Sequence, residues 1–184
     1  DAVAVINPRR EDPEHPCANL CGAGVAFKLA TALNGTPNDL DLAALGTVAD
    51  IVPLLRENRV IVALGLRHMA KHQRMGLAKL AQAASVDIRQ VSSENIAFHL
   101  GPRLNAAGRL DDARTALELL IAEAPEDAER IAKRLDQANC ERRDIEAAMF
   151  EEAVEELEAA LLPQQRSIVL ARRGWHPGVI GIVA

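Results

Sequence analysis

In Leu42-Ala-Ala-Leu-Gly-Thr-Val-Ala-Asp50-Ile-Val-Pro-Leu54 one carboxylate, Asp50, sits inside an otherwise apolar run. Taking an ionised carboxylate out of water is costly unless it is hydrogen-bonded, paired or bound to a metal. Asp50 is therefore either a metal ligand or a turn residue ahead of Pro53, and residue type alone leaves both open. A second stretch, Leu100-Gly-Pro-Arg-Leu-Asn-Ala-Ala-Gly-Arg-Leu-Asp-Asp112, has the small residues and proline of a loop that lets backbone approach a ligand. Its Arg103, Asn105 and Arg109 offer donors suited to phosphate oxygens. The alternative is a structural turn whose arginines pair with Asp111 and Asp112. A third stretch, Gly174-Trp-His-Pro-Gly-Val-Ile-Gly181, is glycine-rich; backbone amides at a helix start can hold an anion there, and His176 could donate to it. His68, His72 and His99 fall in helical patterns and read as structural. His15, Cys17 and Cys21 lack a fourth ligand at zinc spacing and read as ordinary side chains.

The elements that must position these residues are mostly helical. Residues 2–6 are β-branched and apolar, as in a buried strand, and a proline-rich loop follows over 7–16. Helices are expected from Gly22 to about Leu33, ending at Asn34-Gly35, and over 39–47. A third is expected over 59–71, capped by Asn58, with shorter ones over 77–84, 94–100 and 113–122. Pro125 with Glu126 and Asp127 makes a good first turn, and apolar residues recur at helical spacing until Pro163. The spacing predicts one helix over 126–162, about 54 Å long at ~1.5 Å per residue, with a thin apolar stripe that suits a spacer between two domains. Residues 167–171 read as a strand, followed by a loop.

The 184 residues suffice for one domain and part of another, and both ends read as cut from a longer chain. Apolar residues make up 49% and aromatics 2%, so the core is aliphatic, and a base-stacking platform is not expected. No apolar run reaches the roughly 18–20 residues a membrane span needs, so no membrane partner is expected. Three scattered cysteines argue against a disulfide framework and fit a reducing cytoplasm. The net charge of −5 is unevenly spread. Residues 123–162 hold thirteen acids and five bases, a balance of −8; the rest hold thirteen acids and sixteen bases, a balance of +3. A phosphate-binding surface outside the acidic helix is thus allowed.

Together, Leu20–Phe27, Ala44–Leu54, Gly101–Asp112 and Trp175–Ala184 resemble, in order and wording, the RecJ family of 5′→3′ single-strand exonucleases. The resemblance covers essentially the whole chain. It implies an α/β fold: residues 1–122 as the C-terminal part of a DHH phosphoesterase domain, 123–162 as the inter-domain helix, and 163–184 as the start of a DHHA1 domain. It implies that Asp50 is a ligand of Mn²⁺ or Mg²⁺, that Arg103, Asn105 and Arg109 contact phosphate, and that His176 lies on the second domain's wall of the DNA cleft. Single-stranded DNA is the implied substrate, in repair and recombination, with helicases or single-strand-binding proteins as possible partners. The family's early Asp-x-Asp, middle Asp and Asp-His-His motifs are absent from these residues and are expected upstream, so this piece alone is expected to be inactive. Two alternatives stay open: a DHH phosphodiesterase for oligonucleotides or cyclic dinucleotides, and a catalytically silent replication scaffold.

Overall fold

The computed structural model describes residues 4–10, 12–160 and 166–184. After a 3-10 turn at Pro8–Arg10 come α1 (Gly22–Asn34), α2 (Leu40–Ala49), α3 (Arg56–Lys71) and α4 (Met75–Ala83). A short α5 (Ser93–Asn95) runs through a π-helical turn, Ile96–Leu100, into α6 (Gly101–Leu110). Then follow α7 (Arg114–Leu120), the long α8 (Pro125–Ala160) and a final turn, α9 (Ile180–Val183).

Local chemistry accounts for the ends. Cys21 caps α1, its Sγ accepting from the Gly24 amide at 3.4 Å, and Gly35 closes the helix with φ 71°. The π turn follows from Pro102, which has no N–H to offer the Phe98 carbonyl one turn back. The ladder slips by one residue there, and the Gly101 amide bonds to Ile96.

α2 is almost wholly apolar and is buried among its neighbours. It lies against α3 where Gly65 allows the backbones to meet: a Cβ there would stand 2.5 Å from the Leu40 carbonyl oxygen. The core is aliphatic, built from Leu45, Val48, Val62, Met69, Leu77, Leu80, Ile96, Leu100, Leu119, Ile131 and Leu135 with several alanines. The first half of α8 covers α4, α6 and α7, while its later turns meet α9. One ion pair lies deep. Buried Asp41 takes Arg74 Nε at 2.8 Å and Nη2 at 3.3 Å. The Asp41 hydrogen bonds hold the Arg74 guanidinium above its ordinary pKa.

Several expectations need correction. No strand occurs among the described residues. Residues 4–6 and 167–171 are irregular and largely exposed, and residues 1–3 lie outside the described ones. A strand is held by a neighbour that takes its hydrogen bonds, and none is present here. The α/β character expected for the chain is therefore not seen in the described residues, which are otherwise helical. Asn58 does not cap α3. It sits inside the helix, buried, with Nδ2 donating back to the Asn19 and Pro53 carbonyls at 2.8 and 3.0 Å. Residues 101–110, expected as a loop, are helix α6, with Pro102 in its first turn, where the preceding π turn accommodates the missing N–H. The long helix is one unbroken element from Pro125 to Ala160, and the last two residues of the expected span lie outside the described ones.

Candidate functional site

Asp50 terminates α2, its amide bonded to the Gly46 carbonyl at 3.0 Å. The next residue, Ile51, takes φ 54°. A β-branched residue in the left-handed region is a real outlier, at a cost of about 1–3 kcal/mol. That turn leaves the Asp50 side chain exposed rather than buried in the apolar run. Asp50 forms no ion pair among the described residues.

Asn105 and Arg109 lie one helical turn apart on α6 and so share a face. The opposite face carries Ala106 and Ala107, both buried. The outward pair lines an open cavity of about 610 Å³ with Gly46, Ala49, Asp50 and Ile51. Residues predicted from two separate stretches, Asp50 from one and Asn105 and Arg109 from the other, thus line a single cavity.

Arg109 is not braced by its acidic neighbours. Asp111 pairs with Arg134, and Asp112 accepts the Arg114 amide at 2.8 Å. Instead Arg109 Nη1 donates to the Gly178 carbonyl at 2.9 Å. Gly178 has to be glycine for this docking, since a Cβ would fall 2.1 Å from the Arg109 carbonyl oxygen. One N–H of the guanidinium is therefore spent on positioning, and its remaining donors make no hydrogen bond among the described residues.

Arg103 goes elsewhere. Its Nε reaches Asp136 Oδ1 on α8 at 2.8 Å and its Nη1 the His99 carbonyl at 2.7 Å, and the side chain is only 16% exposed. The structure does not bring it into the cavity, and its geometry suits a brace between α6 and α8. Nor does His176 line the cavity. Its Nδ1 accepts from the Gly178 amide at 3.1 Å, which leaves Nε2 as the protonated nitrogen of the neutral ring. The segment is tied to α8, with Trp175 Nε1 donating to Glu152 at 2.8 Å.

Ile51, in the wall of this cavity, and Phe98, in the wall of an adjoining apolar one, were not anticipated. Ile51 carries no signal, because a β-branched residue is a poor candidate for positive φ. Phe98 could have been found. Ile96 and Leu100, four apart and fully buried, mark the inward face, so Phe98 between them points out and is 71% exposed.

A carboxylate is a hard oxygen donor of the kind Mg²⁺ and Mn²⁺ prefer. Yet no group of three or more His, Cys, Asp or Glu side chains that could hold a metal occurs among the described residues. The single exposed carboxylate of Asp50 does not build a metal site alone. No helix among them is long and apolar enough to cross a membrane.

No family model matches the chain. Individual proteins do. It is 45% identical over its whole length to the single-stranded-DNA-specific exonuclease RecJ of Bacillus subtilis, and covers 24% of that protein. The corresponding figures for the RecJ of Haemophilus influenzae are 40%, the whole chain and 35%. A crystal structure of RecJ in complex with Mg²⁺ from Thermus thermophilus superposes with a TM-score of 0.81 at 37% identity, over 90% of this chain and 27% of that one. The Mn²⁺ complex from the same organism gives 0.79. The chain thus spans between a quarter and about a third of the curated relatives it matches. With identity near 40% across every residue and agreement in fold, the chain belongs to the RecJ family, as a segment of such a protein.

Proposed function

We propose that the whole protein is a metal-dependent exonuclease that degrades single-stranded DNA from the 5′ end, in DNA repair and recombination. The observation that carries this reading is the cavity in which Asp50 faces Asn105 and Arg109. A phosphodiester brings negative charge, and a carboxylate tolerates it only with positive charge between or beside them. Arg109 supplies that charge as a planar fork matched to phosphate oxygens, and Asn105 adds a neutral donor one turn away.

Asp50 would contribute one oxygen to a site for Mn²⁺ or Mg²⁺, with its other ligands supplied from outside the described residues. When bound, the metal supplies an activated water and neutralises the leaving oxygen. Within this segment the residues orient and hold the strand. Arg109 fixes a phosphate, the Gly178 carbonyl fixes Arg109, and His176 offers Nε2–H from the second domain's wall of the cleft. Arg103 acts from behind by locking α6 onto α8. In this reading residues 1–122 belong to the catalytic domain, 123–162 to the helix joining it to a second domain, and 163–184 to the start of that domain. A cytoplasmic enzyme working with a helicase or a single-strand-binding protein fits the substrate.

The test is Asp50→Ala and Asp50→Asn in the full-length protein, assayed on labelled single-stranded DNA with Mn²⁺ and with Mg²⁺. Both variants are expected to lose cleavage while unfolding at or slightly above the wild-type transition, because the exposed Asp50 side chain holds nothing and its charge opposes the helix end. Near-normal turnover in either variant would overturn the assignment.

A further inference from the structure

Beside the Asp50 cavity lies a second, smaller one of about 280 Å³, lined by Val48, Ala49, Ile51, Ala97, Phe98, Gly101, Pro102 and Asn105. Ala49, Ile51 and Asn105 are common to both, so the two adjoin. The first carries the charge; the walls of the second are apolar except for Asn105. Its volume falls just below the roughly 300–1,000 Å³ of pockets that take a whole small molecule, a size for one ring system rather than a complete ligand.

Two of its walls are placed against ordinary preference. Phe98 stands 71% exposed on the π turn, and Ile51 stands 89% exposed in a left-handed conformation. An aromatic ring left in water forgoes a large burial gain, and a strained isoleucine forgoes more. Phe98 shares its cavity with Asn105, and Ile51 shares one with both Asn105 and Arg109, the groups assigned to phosphate. A single strand alternates charged phosphates with flat apolar bases, and a charged cavity joined to an apolar slot repeats that alternation.

We propose that Phe98, with Ile51 and Pro102 as the other walls, is the platform on which one nucleobase of the single strand rests while its phosphate sits at Arg109 and Asn105. This rests on the phosphate reading above and adds the contact to the base. It also explains how a chain with 2% aromatic residues can hold bases: a single aromatic at the right place suffices for a sequence-tolerant contact, because every base has a π face.

The experiment measures affinity of the full-length protein, at fixed salt and with chelator to stop cleavage, for a short oligodeoxythymidylate and for the same strand made abasic. Phe98→Ala should lower affinity for the thymidylate strand about five- to a hundredfold. Affinity for the abasic strand should stay within about twofold, so the preference for bases falls. Phe98→Trp should keep the preference. Equal losses on both strands, or no loss on either, would refute the platform, and so would a lost preference in Phe98→Trp. Arg109→Ala is the control for the underlying reading: it should weaken both strands alike, and if it weakens neither, the phosphate assignment fails whatever Phe98 does.

Discussion

Arg103 and Arg109 share one helix and one motif, yet the structure predicts opposite consequences for removing them. Six residues at ~100° each set their side chains about 120° apart around α6. Arg103 reaches Asp136 and the His99 carbonyl, with side chains 16% and 34% exposed across the ion pair. Breaking a fully buried pair costs roughly 3–5 kcal/mol, but Asp136 is a third exposed and can rehydrate. About 2 kcal/mol is the expected loss for Arg103→Ala, discounted for that exposure. In a domain of this size that lowers melting by about 4–8 °C. Arg109 gives the fold one hydrogen bond, to the Gly178 carbonyl at 2.9 Å. Losing an exposed bond of this kind costs about 1 kcal/mol or less.

Binding runs the other way. A charge-assisted guanidinium–phosphate contact contributes about 1.5–3 kcal/mol, so Arg109→Ala should bind single-stranded DNA roughly ten- to a hundredfold more weakly. The salt dependence should also flatten, by about 0.7 in log–log slope for one phosphate contact on a single strand. Arg103→Ala should leave affinity and slope within error of wild type. Thermal unfolding and a salt titration of binding, run on both full-length variants, separate the cases. If Arg109→Ala melts several degrees lower and binds normally, Arg109 is a brace and the phosphate reading of α6 is wrong. If Arg103→Ala flattens the salt slope at unchanged melting, Arg103 leaves Asp136 to reach DNA and the geometry seen here is not the binding one.

Two further predictions concern stability. Arg74→Ala strands the buried Asp41 carboxylate, whose side chain is 2% exposed, and should cost about 3 kcal/mol in denaturant unfolding; adding Asp41→Asn should recover part of it, and a loss under about 1 kcal/mol would show that Asp41 finds another partner. Glu129 accepts from Lys133 and Lys79, and these hydrogen bonds hold its carboxyl below its ordinary value. Its contribution should thus be present above the usual glutamate range, near pH 4.3, and fade as pH falls through the lower folded value. The melting gap between wild type and Glu129→Gln should narrow on acidification, and a gap that widens would contradict the assignment.

What the sequence disclosed and what it hid have separate physical causes. The long helix was legible because Pro125 starts it and no residue before Pro163 breaks its period. Asp50 and Arg109 stood out in the sequence as residue types out of place, an acid in an apolar run and a guanidinium among small residues. Their meeting was not legible, since it depends on how α2 crosses α6, which no local pattern encodes. That Arg103 turns to Asp136 rather than into the cavity was not legible, because composition does not say which way a helical side chain points. The absence of strands at 4–6 and 167–171 has another reason. β-propensity describes a residue's fit to a sheet, and no partner strand is among the described residues to make one.

The Asp50 turn shows why the misfits of this chain belong together. Asp50 stands at the C-terminal end of α2, where the helix dipole already places about half a negative charge and a carboxylate is disfavoured by roughly 0.3–1 kcal/mol. Ile51 adds backbone strain, and its exposed side chain adds none of the burial that would offset it. A fold selected for stability alone would place a lysine or asparagine at the helix end and glycine after it. Here three local choices oppose stability within two residues, while Gly65, Gly35 and Cys21 nearby follow the rules of packing and capping closely. Arg56 and Ser85 also take positive φ, so strain alone does not mark a site; this turn stands apart because its carboxylate shares a cavity with Asn105 and Arg109. The negative end of α2, the Asp50 carboxylate and the neighbouring guanidinium become mutually favourable once positive charge and a phosphate enter the cavity between them.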